Sequence, residues 1–394
     1  MNKKIVFYTQ IYFLDASLEY IKFVSNYYKV SVFIELYPGS TKANIFDLEA
    51  DLENFSPITN YNEVKSDWKL ERFDEYLTKC ESVNFVIFKK KTGFKAFFES
   101  FLMSKKIIKK FEAIAPDYIH FDDSSNRQFF LLKFILHNRK ICILNVHDPK
   151  PHKGEFYILR TIHRFLLFTV TTTFVTFSEY SKNLLHKEIR KSKKIFKLKL
   201  SPYSIYKSFI SKENNTNYCY DIAFVGRLSP YKGIDILLET IQLLKQENNS
   251  IKAIIAGKSV EGYNINQPQY LFDNLKVIDR HLNIIEMVEI IVTSKIVICP
   301  YTEATQSGVI MTAHALGRPV IVTNVGGLPE YILQSKNGIV LASNTCAELA
   351  NQIKLLLENN NFISMITYLE NDSKSFTTRN DFSHNISTIA ELYV

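Results

Sequence analysis

Two polar loops in the second half of the chain carry the residues whose chemistry is easiest to interpret. One runs from Gly226 to Lys232 after a short apolar stretch, and the other leads into Ser307 and Gly308. Arg227 can bind two phosphate oxygens at once, whereas Lys232 supplies a mobile positive charge. The first backbone N–H groups of a helix that starts at Gly308 would bind an anion as well. Together the two loops predict a diphosphate site that needs no metal ion.

The second loop lies in residues 296–332, a segment typical of a strand, a polar loop, a helix, a second strand and a glycine-containing turn. A β-branched run ends at Pro300, an apolar-periodic helix begins at Gly308, and the next strand leads to Gly326 and Gly327. Because open α/β sheets bind ligands beyond their strand ends, we interpret this segment as a ligand site. The alternative is an ordinary βαβ unit whose polar loop lies at the surface.

Two apolar runs in the first half also end in residues that could do chemistry. His147 and Asp148 follow one of them, at the strand end where such sheets bind ligands. A purely structural histidine is an equal alternative there. Asp122 and Asp123 follow the other run, and they could bind a hydroxyl group of a bound molecule or cap the next helix through the two serines that follow.

Short apolar runs alternate with amphipathic segments along the chain, which predicts βα units and mostly parallel sheets. A polar stretch without periodicity, residues 207–218, indicates a hinge. We therefore predict a first domain at 1–206, a second at 207–375 and a terminal helix at 376–394. The span 38–62 is assigned only a partial helix at 48–52. The predicted strands are 5–9, 30–34, 83–88, 118–121, 141–146, 174–177, 222–225, 253–256, 276–278, 296–299, 320–322 and 339–341. The other predicted helices are 18–27, 94–111, 128–137, 155–168, 180–190, 234–244, 284–292 and 347–357, with one more from 308.

Composition is typical of a globular protein with two domains or one large one. The chain has 394 residues, of which 46% are hydrophobic, and its 30 Phe and 22 Tyr disfavour disordered classes. A net charge of +8 favours anionic partners such as nucleotide phosphates or an anionic lipid surface. Nucleic acid is disfavoured, because the basic residues lie on scattered helices and not on an aromatic platform. The longest apolar tract, residues 165–177, is shorter than the roughly 18 residues of a membrane span.

Motifs of several other protein classes are missing from the sequence. It contains no HExxH, no Cys/His cluster, no GxGxxG after a strand and no GxxxxGK[ST]. Dinucleotide oxidoreductases and P-loop NTPases are therefore disfavoured, and no metal site is predicted. The five cysteines are scattered without a CxxC pair, which is typical of a reduced, cytosolic protein. The short apolar run at residues 5–9 is interpreted as a first strand and not as a signal peptide.

The predicted helix at residues 94–111 combines aromatic residues at helical spacing with lysines. The aromatic and aliphatic residues are Phe94, Phe97, Phe98, Phe101 and Leu102, and the lysines are Lys95, Lys105, Lys106, Lys109 and Lys110. Such a helix could lean on anionic lipid. The more common alternative is a helix packed on the core with a solvated basic face.

Four runs of the sequence together resemble the glycosyltransferases of family four. They are FVGRLSPYKGIDILLETI at 224–241, SGVIMTAHALGRPVIVTNVGGLPE at 307–330, FSEYSKNLL at 177–185 and NVHDP at 145–149. The resemblance implies an α/β protein of the GT-B fold, with two Rossmann-like doubly wound domains facing a central cleft. It also implies that Arg227 and Lys232 bind the donor diphosphate and that His147 lies beside the transferred sugar. The terminal helix would cross back to the first domain.

The sequence departs from that family where two glutamates usually frame the second loop and its helix. Counting without gaps places these positions at Ala304 and Thr312, and Glu303 lies one residue away. A shift of one residue in the loop would make Glu303 the first glutamate, while Thr312 could offer the ribose a neutral hydrogen bond. The implied catalytic residues are His147, Arg227, Lys232 and Glu303. The implied donor site comprises Gly226, Arg227, Lys232, Thr305, Gln306, Ser307, Gly308, Val309, Thr312 and Glu330, without a metal.

The resemblance implies an enzyme that moves a sugar from a nucleotide-diphosphate sugar, as co-substrate and without a cofactor, to a saccharide or lipid-linked acceptor. Anomeric configuration would be retained, and the setting would be bacterial cell-surface polysaccharide or glycolipid assembly, in the cytoplasm or on the inner face of the membrane. Two alternatives stay open. The missing second glutamate suggests an inactive nucleotide-sugar-binding scaffold. The same fold also serves nucleotide-sugar epimerases, against which the GRL…KG loop argues.

Overall fold

The chain forms two compact units in a computed structural model that describes residues 3–40, 52–150, 158–211, 218–247, 251–263, 265, 273–378 and 385–394. The first unit comprises Met1–Ser201 and Phe382–Val394, and the second comprises Pro202–Asp381. The division therefore precedes the predicted boundary at residues 206 and 207. The boundary lies earlier because the residues just before 207 are held within the second unit. Ile205 and Tyr206 are buried, and the amide of Tyr203 donates to the carbonyl of Met311.

The first unit is an eight-stranded sheet with helices between its strands. The sheet order is β3-β4-β2-β1-β5-β6-β7-β8, and all neighbours are parallel except β3 and β4. Its strands are β1 (Lys4–Gln10), β2 (Lys29–Leu36), β3 (Ile58–Asn60), β4 (Ser82–Ile87), β5 (Tyr118–Asp122), β6 (Cys142–Val146), β7 (Thr173–Thr176) and β8 (Lys194–Lys197). Its helices are α1 (Leu14–Val24), α2 (Tyr61–Val64), α3 (Asp74–Leu77), α4 (Gly93–Ile114), α5 (Leu132–His137), α6 (Ile158–Val170) and α7 (Glu179–Glu188). Helices cover both faces of such a sheet, which explains why β1, β2 and β6 are nearly continuous apolar runs.

The second unit is a parallel six-stranded sheet in the order β11-β10-β9-β12-β13-β14. Its strands are β9 (Tyr220–Val225), β10 (Ala253–Gly257), β11 (Leu275–Asp279), β12 (Ser294–Cys299), β13 (Val320–Val322) and β14 (Gly338–Val340). Its helices are α8 (Ile234–Gln246), α9 (Ile284–Val292), α10 (Gly308–Ala315), α11 (Cys346–Leu357) and α12 (Asn361–Thr378). α9 starts with a reciprocal capping box between Asn283 and Glu286, which fixes the residue at which the helix begins.

Five of these elements were not predicted: β3, β8, α2, α3 and α12. β3, α2 and α3 have only three or four residues each, too few to show a period. β8 is an edge strand in a lysine-rich run with half-exposed side chains, and β3 pairs antiparallel at the other edge. α12 covers residues 361–375, which were left unassigned although Phe362, Met365, Ile366 and Leu369 have helical spacing, and it ends at 378. The predicted terminal helix at 376–394 therefore starts too early, because its first three residues belong to α12. The partial helix at 48–52 falls outside the described residues except for Leu52, which begins a 3-10 turn. No helix in the described part of the chain has the length and hydrophobicity needed to cross a bilayer.

A last helix, α13 (Ile386–Leu392), belongs to the first unit, and a buried hydrogen-bond chain holds the residue that follows it. The Tyr393 hydroxyl lies 2.9 Å from His120 Nε2 and 2.9 Å from the Tyr20 hydroxyl. His120 Nδ1 contacts Asn145 Oδ1 at 3.0 Å, and the Asn145 amide donates to Asp122 at 2.5 Å. Burial lowers the pKa of His120 to about 4, so the ring is neutral and Nε2 accepts from Tyr393. The helix is thereby tied to the middle of the sheet.

Replacing Tyr393 with Phe should lower the free energy of unfolding by about 1–3 kcal/mol, because His120 and Tyr20 would each lose a buried partner. Urea denaturation measures the change. Tyr27→Phe is the matched control, since Tyr27 is half exposed and its substitution should have little effect. Equal stability of the two variants would show that the hydrogen-bond chain does not anchor the C-terminal segment.

Candidate functional site

Both loops singled out in the sequence leave the second sheet at one edge. β9 and β12 are neighbours, with β10 on the outer side of β9 and β13 on the outer side of β12. The chain therefore runs outward in opposite directions from this pair, and the loops after β9 and β12 diverge there. A crevice at such a switch point is where parallel α/β sheets bind ligands.

Two close backbone contacts fix the loop after β9. A Cβ atom added to Gly257 would lie 1.7 Å from the carbonyl oxygen of Gly226, and one added to Gly233 would lie 1.8 Å from the carbonyl oxygen of Pro300. Both glycines also have positive φ, at +152° and +65°. Any side chain at either position would push the neighbouring loop away, so glycine is required at both.

Backbone hydrogen bonds join the same segments. The amide of Leu228 donates to the carbonyl of Lys258 at 3.0 Å, and the amide of Thr302 donates to the carbonyl of Tyr231 at 2.9 Å. The loop after β9 is thus held between the loop after β10 and the loop after β12. A loop held on both sides presents its charges in one arrangement, which is what electrostatic preorganisation needs.

An aromatic ring connects the lysine of the first loop with the serine of the second. Lys232 Nζ lies 3.7 Å from the ring centroid of Tyr301, and the Tyr301 hydroxyl lies 3.3 Å from Ser307 Oγ. The ring is 1% exposed, so the cation–π contact is largely shielded from water. Below it, burial raises the pKa of Cys299 to about 11, against the opposing charge of Lys232. This cysteine is therefore a neutral packing residue.

Tyr301 was not among the predicted site residues. The only signal in the sequence was an aromatic residue directly after the proline that ends β12. That signal does not identify which cation the ring would carry, because the pairing joins residues of two separate loops.

The start of α10 lies beside the first loop. Ser307 has the extended backbone of an N-cap, but its side chain makes no capping hydrogen bond to α10. A Cβ atom on Gly226 would lie 3.8 Å from Cγ2 of Val309, in the first turn of α10. The structure therefore brings the predicted residues Gly226, Lys232, Ser307, Gly308 and Val309 together, and exposed Arg227 follows Gly226 directly.

The remaining predicted donor residues lie on or near the second loop. Ala304 is 4% exposed and its carbonyl accepts from the amide of Gly327 at 3.2 Å, which ties the loop to the double-glycine turn. The half-buried ones are Glu303, Gln306 and Glu330, and the buried ones are Thr305 and Thr312. The first of the two glutamate positions is thus filled by a small buried residue with a backbone role. The roles of Glu303 and Thr312 stay predictions.

His147 lies in the first unit, inside an aromatic slot. Its ring stacks on Phe13 with a centroid distance of 4.2 Å and packs on Phe177 at 4.7 Å. Nε2 lies 4.0 Å from Oδ1 of Asp122, and the ring is 2% exposed. The surrounding rings fix the orientation of the imidazole, whether or not it touches a ligand.

Asp122 and the residues after it have structural partners. Ser17 Oγ donates to Asp122 at 2.6 Å, in addition to the bond from Asn145, so this carboxylate is an internal anchor. Ser125 caps the 3-10 turn that follows, accepting from the Arg127 amide at 3.2 Å. Of the two interpretations of this segment, the described contacts show capping.

A buried carboxyl group that sequence reasoning missed holds the same segment. Glu35, on β2, is 1% exposed and accepts from Ser125 Oγ at 2.9 Å and from the Tyr8 hydroxyl at 3.1 Å. Burial raises the pKa of Glu35, and the nearby Arg127 opposes this. The group sits inside an apolar strand, and nothing in the local pattern distinguishes it. Among the described residues, no group of three or more His, Cys, Asp or Glu could hold a metal ion.

Residues 219–359 match the family model described as Glycosyl transferases group 1. The match lies within the second unit. A D-inositol 3-phosphate glycosyltransferase of Corynebacterium aurimucosum is 30% identical over 148 residues, 35% of this chain and 35% of that protein. The capsular polysaccharide biosynthesis glycosyltransferase CapM of Staphylococcus aureus is 23% identical over 141 residues, 35% and 37% of the two chains. The alignments therefore span about a third of these curated relatives.

A fold comparison extends over the whole chain. The structure of HepE from Anabaena in complex with UDP matches with a TM-score of 0.61 and 16% identity, and covers 99% of this chain and 99% of that one. At that identity the likeness shows the fold alone. The fold is GT-B, with two Rossmann-like units, and the predicted fold class is confirmed.

Replacing Gly257 with Ala should displace the loop after β9, because the new Cβ would overlap the Gly226 carbonyl. Gly262→Ala is the matched control: it has φ +80° but no atom within 4 Å of the added Cβ. Backbone strain alone costs about 1–3 kcal/mol, so the control should lose no more than that and Gly257→Ala clearly more. Urea denaturation of both variants, read together with their affinity for nucleoside diphosphates, tests this. Equal losses in the two would mean that the close contact does not position the loop.

Proposed function

We propose that the protein is a glycosyltransferase that moves a sugar from a nucleotide-diphosphate sugar to an acceptor, with retention of configuration and without a metal ion. The observation that carries the proposal is the joining of Lys232 to Ser307 through Tyr301, beside the start of α10, within a group 1 unit. The UDP bound to HepE, a protein of the same fold, supports a nucleotide-diphosphate donor. Retention and independence of metal are supported by the resemblance to family four.

The mechanism is electrostatic. When the bond between the anomeric carbon and the diphosphate breaks, the electron pair and the negative charge go to the leaving phosphate oxygen. Arg227, Lys232 and the first amides of α10 would stabilise that charge, and their held positions mean that little reorganisation is needed. The acceptor hydroxyl forms the new bond to the anomeric carbon, and its proton passes to the freed phosphate oxygen. No cofactor takes part in this exchange.

Further contacts to the sugar and the nucleoside are proposed from the resemblance to family four. His147 would orient a sugar hydroxyl, with Glu303 and Gln306 as further sugar contacts. The other donor contacts proposed are Gly226, Thr305, Ser307, Gly308, Val309, Thr312 and Glu330. Orientation of this kind contributes to the rate by fixing the reacting atoms in one geometry.

The acceptor is proposed to be a saccharide or a lipid-linked saccharide in cell-surface polysaccharide or glycolipid assembly. The name of the relative CapM supports the polysaccharide, and the inositol phosphate named for the other relative keeps a small polar acceptor in the test panel. The proposed location is the cytoplasm or the inner face of the cell membrane.

A second candidate function is nucleotide-sugar binding without turnover. The observation in its favour is the buried Ala304 at the position of the first glutamate, where a carboxylate would otherwise face the donor. Transfer and donor hydrolysis, measured against a panel of acceptors, separate the two functions. A scaffold would bind the nucleotide and release no product, and epimerised donor without acceptor would identify an epimerase.

Arg227→Ala should lower transfer by about 10²–10³-fold, because one charge that stabilises the leaving diphosphate is removed. Arg227 is exposed, so the melting temperature without ligand should not change. The rise in melting temperature caused by a nucleoside diphosphate should shrink, since a ligand stabilises only the state that it binds. Arg190→Ala, another exposed arginine, is the control and should behave like the natural protein. Full transfer activity in Arg227→Ala would contradict the proposal that this charge stabilises the leaving diphosphate.

His147 is tested with two substitutions that separate packing from chemistry. His147→Phe keeps a ring between Phe13 and Phe177, whereas His147→Ala empties the slot and should lower the free energy of unfolding by about 3 kcal/mol. If the imidazole orients the sugar, His147→Phe should fold stably and still lose about 10²-fold in transfer. A stable and fully active His147→Phe would leave the histidine a structural role only.

A further inference from the structure

One face of α4 exposes large apolar side chains. Phe94 is 83% exposed, and the others have exposed fractions between 37% and 54%. We call this set the aromatic face: Phe94, Phe97, Phe98, Phe101 and Leu102 of α4, with Phe129 of the adjacent 3-10 turn. Single exposed apolar residues are ordinary, but a contiguous group of this kind marks an interaction surface.

The rings of the aromatic face form a packed cluster. Phe130 joins them from below: its centroid lies 4.7 Å from that of Phe97, 5.3 Å from that of Phe101 and 5.5 Å from that of Phe129. Phe98 lies 6.4 Å from Phe101. These distances are those of ordinary aromatic pairs. The surface is therefore formed before any partner arrives.

The other side of α4 anchors the helix in the core of the first unit. Met103, Ile107 and Phe111 belong to the main core cluster, and Ala96 and Ser100 are buried beside them. The helix thus buries mainly small and aliphatic residues and leaves most of its aromatic rings outside. The helix is thus packed on the core and exposes its lysines, as the alternative expected, but the aromatic stripe from Phe94 to Phe101 is exposed as well.

Lysines continue the aromatic face along the helix. Lys95, Lys105, Lys106, Lys109 and Lys110 are all exposed. At 100° per residue, Lys105 and Lys109 fall on the same stripe as Phe94, Phe98 and Phe101. Lys105 Nζ lies 4.4 Å from the Phe101 ring centroid. Glu99 accepts from the amides of Lys89 and Lys90, so its charge is engaged with the backbone.

We propose that the aromatic face and its lysines dock on an anionic membrane surface, with the rings at the level of the headgroups and the lysines against the lipid phosphates. Aromatic rings followed by lysines on one helix face match both layers of such a surface. A second copy of the chain is a poorer occupant, because a symmetric contact would bring these lysines against one another. The proposal rests on the first unit alone and does not depend on the sugar donor.

Co-sedimentation with vesicles tests the proposal on the full chain. We expect binding to vesicles of phosphatidylcholine mixed with phosphatidylglycerol, little binding to phosphatidylcholine alone, and weaker binding as salt rises. Phe94→Ser with Phe98→Ser, and separately Lys105→Glu with Lys109→Glu, should each weaken binding by at least about 30-fold. The matched controls are Ile285→Ser with Ile363→Ser and Lys276→Glu with Lys336→Glu, all exposed residues of the second unit, and these should bind as the natural protein does.

Three results would overturn the proposal. They are no binding to anionic vesicles at low salt, equal binding by the natural protein and both α4 variants, and a concentration-dependent dimer that the serine variant abolishes while no vesicle binds. The last result would assign the surface to a second copy. Nucleoside diphosphates should raise the melting temperature of every variant alike, so failure of membrane docking would be distinguishable from failure of the donor site.

Discussion

The carbonyl oxygens of Gly226 and Pro300 lie so close to Gly257 and Gly233 that neither glycine could carry a side chain. This steric constraint decides the geometry of the second unit at its switch point. Because Gly257 and Gly233 meet these oxygens directly, three loops lie in contact at one edge of the sheet. Lys232 can then be held over a buried ring by backbone geometry alone. The placement of Lys232 thus depends on two glycines that carry no charge.

The first unit keeps its corresponding edge in place by different means. There, buried polar groups meet one another: Asp122 accepts from Ser17 and Asn145, and His120 links Asn145 to Tyr393. A chain of hydrogen bonds is specific only while each member stays in one protonation state, and burial keeps His120 neutral down to a pH of about 4. Close backbone contacts fix the loops of the second unit, whereas buried hydrogen bonds fix this edge of the first unit.

Sequence patterns predicted those features that depend on neighbours along the chain. The strand Val320–Val322 and the helix Ile284–Val292 were located to the residue, because an apolar run or a capping signal defines each end. Features that depend on distant pairs were not accessible: the placement of Lys232 on Tyr301 joins two loops. α4 shows a subtler limit. Periodicity indicates which residues share a helix face, but which face the core covers depends on the neighbouring strands and turns.

The return of the C-terminal segment to the first unit has a consequence for the order of folding during synthesis. The second unit is continuous in sequence and can complete itself as soon as it leaves the ribosome, whereas the first unit waits for Tyr393. Its sheet would therefore spend the synthesis of about 180 residues before Tyr20 and His120 gain their hydrogen bonds to Tyr393. A chain stopped before residue 382 would therefore contain every residue of the second unit and lack the last segment of the first.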